Sequence, residues 1–175
     1  MMKKLLLFCL SIVILGQIEL QAQDKEWKVP SVELKDLKNN IVSASTIHNT
    51  EGPTIISFWA TWCKPCILEL NTINDYYIDW QDETGVKLVA ISIDDTRNIG
   101  KVGPMAKGKG WEYDVYLDSN SELRRALNVN NVPHTFLLDA KGNIVWQHNG
   151  YTPGDEDELY DLVVKLSNGE SIGSH

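Results

Sequence analysis

Cysteine is scarce. Among 175 residues there are three, Cys9, Cys63 and Cys66. Cys9 lies in an apolar leader, so the rest of the chain has one closely spaced pair. One pair cannot make a disulfide framework. A bond closing so short a loop also constrains the unfolded chain little, so a purely stabilising bond is the weaker reading. Histidine is sparse too, at four residues. Structural zinc usually wants four Cys or His ligands, so no metal site and no cofactor is expected. Positive charge is in deficit: 16 Lys and Arg stand against 24 Asp and Glu, for a net charge of −8. Nucleic acid is excluded as a partner, because phosphate binding needs a basic face. The acidic excess reads as a solubility feature. Lys101, Lys107 and Lys109 do gather in one segment, which reads as a solvated face. No repeat or interdomain linker interrupts the chain. Its length, with 43% hydrophobic and 23% charged residues, suits one globular domain with its own core.

Only one long apolar run is present. Lys3 and Lys4 precede Leu5 to Leu15, and a polar stretch from Gln17 to Gln23 follows. That is the order of a secretory signal peptide. The run falls short of the roughly 20 residues of a spanning helix. The expected division is a signal peptide over residues 1–22, cleaved after Ala22, and a mature domain over residues 23–175. Leu20 is bulky for its place before such a site, and an uncleaved anchor over residues 5–20 is the alternative. Cys9 follows Phe8 rather than a small residue, which argues against lipid attachment.

The remaining chain alternates strand and helix patterns. Val32 to Leu37 alternates apolar and polar, Lys38-Asn39-Asn40 supplies a turn, and Ile41 to Ala44 resumes. Glu51-Gly52-Pro53 breaks the chain before the β-prone run Thr54 to Trp59. A helix pattern follows at Cys66, Leu70, Ile73 and Tyr77, extends through Trp80, and should stop near Gly85. Val86 to Ile93 reads as a central strand ended by Asp94 and Asp95. Asn98 to Lys109 reads as a helix made irregular by Gly100, Gly103 and Pro104. Tyr113 to Leu117 is a short strand. Asp118 or Ser119 caps a helix over Glu122 to Leu127. Thr135 to Leu138 and Asn143 to Gln147 form a hairpin. Asp155 to Ser167 is the last helix, with an acidic first turn and an apolar face. The alternation argues for α/β architecture.

The chemistry concentrates in Cys63-Lys64-Pro65-Cys66, where a strand hands over to a helix. Pro65 suits a first helical turn. The unpaired N–H groups and positive dipole end there favour a thiolate at Cys63. Cys63 should be accessible, as the attacking nucleophile, and Cys66 shielded one turn inside, as the resolving thiol. Lys64 can favour the thiolate by charge, though an exposed ammonium is well screened. Trp62 should cover part of the pair and contact a partner, and Trp59 reads as core.

Phe58-Trp59-Ala60-Thr61-Trp62-Cys63-Lys64-Pro65-Cys66 resembles the active site of the thioredoxin superfamily. Val132-Pro133-His134-Thr135-Phe136-Leu137-Leu138-Asp139 resembles that superfamily's cis-proline loop and following strand. Within the superfamily the chain is similar to the TlpA/ResA type of exported thiol–disulfide oxidoreductases. The resemblance implies a thioredoxin fold, a central mixed sheet with helices on both faces and an added N-terminal β-hairpin. It implies a redox-active Cys63–Cys66 disulfide, a cis Pro133 facing Cys63, and a Val132 backbone free to pair with substrate. Ser57 stands where ordinary thioredoxins carry a buried aspartate and cannot act as that acid or base. Glu69 stands where the TlpA/ResA type often carries a glutamate, which implies acid–base service to Cys66, against the reading of a surface glutamate. The adjacent His134 reads as structural or exposed. The implied task is reduction of disulfides in exported cell-envelope or periplasmic proteins, apocytochrome c among them, with electrons from a membrane donor. Two rivals remain. A peroxide reductase needs a threonine three residues before its cysteine, where Ala60 stands. A redox-inert binding module would not need both cysteines.

Overall fold

The computed structural model describes residues 27–172. The expected signal peptide, the alternative anchor and Cys9 lie outside the described residues. The strands are β1 (Glu33–Asp36), β2 (Ile41–Ser43), β3 (Thr54–Trp59), β4 (Lys87–Ser92), β5 (Asp114–Leu117), β6 (His134–Leu138) and β7 (Ile144–Asn149). The helices are α1 (Lys64–Thr84), α2 (Val102–Lys109), α3 (Glu122–Ala126) and α4 (Asp155–Ser167). All seven strands form one sheet in the order β2-β1-β5-β4-β3-β6-β7. The pairs β3–β4 and β4–β5 are parallel. The pairs β1–β2, β1–β5, β3–β6 and β6–β7 are antiparallel. The sheet is therefore mixed, and the N-terminal hairpin extends it beyond β5.

Every residue of β3 is buried, as its mostly apolar character implies for a strand covered on both faces. Successive side chains point to opposite faces. Ser57 faces α1, where its hydroxyl meets Glu69. Phe58 faces the other way, and its ring meets Phe136 edge-on at 5.9 Å. Trp27 meets Phe136 at 5.7 Å, also edge-on. The first face thus carries the site, and the second is closed by aromatic packing.

Helix α1 begins with Pro65 in its first turn and ends at Gly85, whose φ of 68° is left-handed. Glycine adopts that conformation without a Cβ penalty. Cys66, Leu70, Ile73, Tyr77 and Trp80 form its buried face, as their spacing predicts, and Glu69 joins them. Trp80 stacks on Tyr160 of α4 at 4.9 Å, and Tyr160 hydrogen-bonds Glu83 of α1, so α1 and α4 are tied at one end. The irregular stretch before α2 is a 3₁₀ turn over Ile99–Lys101. Lys101, Lys107 and Lys109 are exposed. Asp118, rather than Ser119, satisfies the start of α3. Its Oδ1 accepts from the Glu122 and Leu123 N–H groups, and its Oδ2 accepts from that of Arg124. Among the described residues no helix is long and apolar enough to cross a membrane.

Candidate active site

At the end of β3 the chain turns through Ala60, Thr61 and Trp62 into α1. Cys63 caps that helix in an extended conformation, with φ −89° and ψ 97°. Its Sγ lies 3.3 Å from the Cys66 N–H, which points at it. Cys63 and Cys66 are disulfide-bonded, with their Cα atoms 5.3 Å apart. The strand-to-helix handover therefore aims one unpaired helix N–H at the first sulfur, the arrangement that favours thiolate after reduction.

Asp94, two residues past β4, fixes this turn. Its Oδ2 accepts from the Thr61 N–H at 2.8 Å and the Ser92 hydroxyl at 2.9 Å. Its Oδ1 accepts from the Thr61 hydroxyl at 2.7 Å. Asp94 is buried and Thr61 half-buried, so water replaces the lost acceptor poorly. Asp94→Ala leaves two hydroxyls and an N–H short of an acceptor. It is expected to lower stability by about 3 kcal/mol, as each unsatisfied buried group costs about 1–3. A denaturant titration checks this: the midpoint should fall with its slope unchanged.

The Val132–Pro133 bond is cis. The Val132 carbonyl oxygen lies 3.7 Å from Cys63 Sγ, so the loop before β6 meets the dithiol. Pro133 is buried and Val132 half-buried. The Pro133 carbonyl accepts from the Gly150 N–H at 2.9 Å, which holds the loop against the end of β7.

One expectation is corrected here. Cys63 is not accessible in the disulfide-bonded state: it is 4% exposed, against 0% for Cys66. Its sulfur is bonded inward to Cys66 and abuts the Val132 carbonyl. Trp62 stands 64% exposed, so most of its indole is open to a partner. Lys64 and Pro65 are exposed, and Trp59 is core, with its ring edge-on to Trp111 at 4.8 Å.

Glu69 is not a surface residue. It is 4% exposed, on the same α1 face as Cys66 and one turn further on. Its Oε2 accepts from the Ser57 hydroxyl at 2.9 Å. Its Oε1 accepts from the Thr135 hydroxyl at 2.7 Å. Ser57 and Thr135 are direct partners across β3 and β6, so the two hydroxyls lie side by side under the carboxyl. Burial pushes the Glu69 pKa up to about 7, against the two hydroxyl donors that favour the carboxylate. Asp155 pushes it the same way as burial. A carboxyl that ordinarily titrates well below neutrality is thus poised to hold or release a proton near it. Burial and the charge of Glu69 together push the Tyr113 phenol upward.

His134 is buried on the opposite face. It stacks on Phe136 at 4.5 Å, and its Nε2 meets Gln147 Oε1 at 3.0 Å. Burial lowers its pKa, consistent with the structural reading. Thr135 and Asp94 carried no signal in the sequence beyond their element boundaries. Thr135 becomes visible only once β6 is paired with β3. Among the described residues no cluster of His, Cys, Asp and Glu has the makings of a metal site.

The AhpC/TSA family model matches residues 26–147. Sporulation thiol–disulfide oxidoreductase A of Bacillus subtilis (strain 168) is 33% identical over 126 residues, which cover 71% of this chain and 74% of that protein. The thiol–disulfide oxidoreductase ResA of Bacillus thuringiensis (strain Al Hakam) is 30% identical over 129 residues, covering 74% of this chain and 66% of that one. The solution structure of a thioredoxin-like protein from Porphyromonas gingivalis is 47% identical, with a TM-score of 0.73, covering 86% of this chain and 99% of the other. The fold shared with that solved structure and a bonded cysteine pair at the head of α1 lead to one assignment: the chain belongs to the AhpC/TSA family and is a thioredoxin-fold thiol–disulfide oxidoreductase of the ResA type.

Proposed function

We propose that the protein reduces disulfides of exported cell-envelope proteins through the Cys63–Cys66 couple. The observation that carries this reading is the Glu69 carboxyl, buried one helical turn from Cys66 and poised near neutrality. In the reducing direction the Cys63 thiolate attacks one sulfur of a substrate disulfide. The substrate S–S bond breaks, one substrate sulfur leaves as thiolate, and a mixed disulfide joins Cys63 to the other. Cys66 then loses its proton to Glu69. Its thiolate attacks Cys63 Sγ, the bond to substrate breaks, and the Cys63–Cys66 disulfide forms. The substrate gains two electrons and, from water, two protons. A base beside the resolving thiol serves this direction, in which Cys66 must be deprotonated at every turnover.

Trp62 offers the partner an exposed indole, and Val132 offers a backbone carbonyl beside Cys63. Pro133 holds that loop, while Lys64 and Pro65 flank the approach. The leader supports export to the periplasm or cell envelope. A reductant working there draws its electrons from a membrane donor. Apocytochrome c, which presents a Cys-X-X-Cys-His haem site, is a substrate of the right class.

The test is a model-disulfide reductase assay run beside a peroxide-consumption assay. The expected result is reductase turnover without peroxide consumption, since Ala60 replaces the threonine that peroxide chemistry needs. Peroxide consumption alone would overturn the reading, and activity in neither assay would favour a binding module. Mature protein from the cell envelope should begin near Gln23. An intact chain in the membrane would show the anchor instead, and an intact chain in the cytoplasm would overturn export.

A further inference from the structure

Between α3 and β6 the chain runs from Leu127 to Pro133 outside any helix or strand. Val132, which meets the dithiol, stands near the end of that stretch. Asn128, Asn130 and Asn131 are exposed, and Val129 is buried. The side chain of Arg124, half-buried on α3, holds the stretch. Its Nε donates to the Val129 carbonyl at 3.0 Å. Its Nη2 donates to the Asn130 carbonyl at 2.8 Å. The Arg124 carbonyl accepts in turn from the Val129 N–H at 2.9 Å. A guanidinium is a planar fork with its donors in fixed directions, so two consecutive carbonyls are held in one orientation. Further along, the Gly150 N–H holds the Pro133 carbonyl. Val132 lies between these two fixed points. Arg124 is itself anchored. Its N–H donates to Asp118 Oδ2 at 2.8 Å, and the neighbouring Leu123 is fully buried. The Asp118 N–H donates to the Ser92 carbonyl at 2.9 Å. The Ser92 hydroxyl donates to Asp94, which holds the Thr61 turn. The end of β4 therefore carries both walls of the dithiol, one through Asp94 and the other through Asp118 and Arg124.

We propose that Arg124 is a positioning residue for substrate capture. By holding the Val129 and Asn130 carbonyls it sets the Val132 backbone against Cys63, where an extended polypeptide disulfide docks. The inference rests on the reading of Val132 as the backbone that pairs with substrate. A polypeptide has to align its main chain with Val132 while its sulfur reaches Cys63. A loop displaced by about 1 Å breaks that alignment. A small disulfide with no backbone needs only the sulfur. The guanidinium therefore favours polypeptide disulfides over small ones, although it touches neither cysteine. The neighbouring Arg125 has the same charge and a different duty. It is exposed, and its Nη1 donates to the Asn120 carbonyl at 2.8 Å, at the other end of α3.

The test is the second-order rate at which uncharged disulfides oxidise the reduced full chain. One is a short peptide dimer joined through cysteine; the other is dithiodipyridine, which has no backbone. Arg124→Gln keeps the aliphatic stem and removes the fork. It should be slower by about tenfold with the peptide, the worth of about one well-made hydrogen bond, and unchanged with dithiodipyridine. Arg124→Lys keeps the charge without the fork and should show the same split. Arg125→Gln removes the same charge from α3 and should match the wild type on both. Equal losses on both disulfides, no loss on the peptide, full activity in Arg124→Lys, or the same split in Arg125→Gln overturns the proposal. Nitrogen relaxation should show the amides of residues 130–132 loosened in Arg124→Gln, and unmoved amides overturn the clamp whatever the rates. A peptide N-methylated beside its cysteine checks the pairing at Val132. The wild type should react with it more slowly than with the plain peptide. If the two react alike, the pairing falls and takes the Arg124 role with it. If the wild type discriminates and Arg124→Gln is not slowed, the Arg124 role alone falls.

Discussion

Cys66→Ser is expected to stop the reaction at the mixed disulfide. Substrate should stay bonded to Cys63 and appear as a higher-mass adduct that thiol reductant releases. Cys63→Ser should form no adduct, and its turnover should fall to the uncatalysed rate, because the attacking sulfur is gone. The asymmetry follows from the backbone. Cys63 caps α1, with the Cys66 N–H pointing at its sulfur, whereas Cys66 lies inside the helix with no exposure. On reduction the Cys66 N–H and the helix start should lower the Cys63 pKa below that of a free thiol. Alkylation of the reduced protein, followed against pH, should label Cys63 first. Faster labelling of Cys66, or adduct formation by Cys63→Ser, would reverse the two roles.

Glu69→Gln is expected to slow resolution by about 10²-fold, the lower end for positioned acid–base help, since Cys66 can still lose its proton to water. Alkylation of Cys63 should survive. Rapid-quench measurement of mixed-disulfide decay checks this, and an unchanged rate and pH profile would remove Glu69 from the mechanism. The same substitution has a stability signature whose sign can be stated. The folded Glu69 pKa is raised from 4.5 to about 7, so folding takes up a proton between those values. The contribution is fully present below pH 4.5 and is lost as pH rises through about 7. At about 1.4 kcal/mol per pH unit, the native protein should lose about 3 kcal/mol across that window relative to Glu69→Gln. Parallel denaturant titrations across the window measure it, and coincident pH dependences would show that the carboxyl is not held protonated by burial.

Much of the fold is legible in the amino-acid order alone. Thr54 to Trp59 has to be a central strand, because six residues without a solvated face fit no other place. The spacing of Cys66, Leu70, Ile73 and Tyr77 names the buried face of α1, and Gly85 names its end. The cysteine pair announces its own chemistry. The cis bond at Pro133 is implied by resemblance alone, since local sequence does not determine it. Other features depend on contacts between distant segments. Asp94 looks like the end of a strand, and only the Thr61 turn gives it two of its three donors. Cys63 looks exposed because a helix start is exposed; the Val132 carbonyl, 69 residues later, helps bury it. Thr135 follows from the register of β6, which no period within one segment reveals.

The pairing of Ser57 with Thr135 beneath Glu69 also bears on how the chain finds its fold. Side chains alternate along a strand, so a one-residue slip of β6 against β3 would turn Thr135 to the far face and bring an apolar neighbour under the carboxyl. Glu69 would keep its place on α1 but lose a donor where water does not reach. An ionised group buried with too few partners is costly. The misregistered chain would therefore be penalised at Glu69. The two hydroxyls that hold this acid would disfavour strand pairings that hydrophobic burial alone would tolerate.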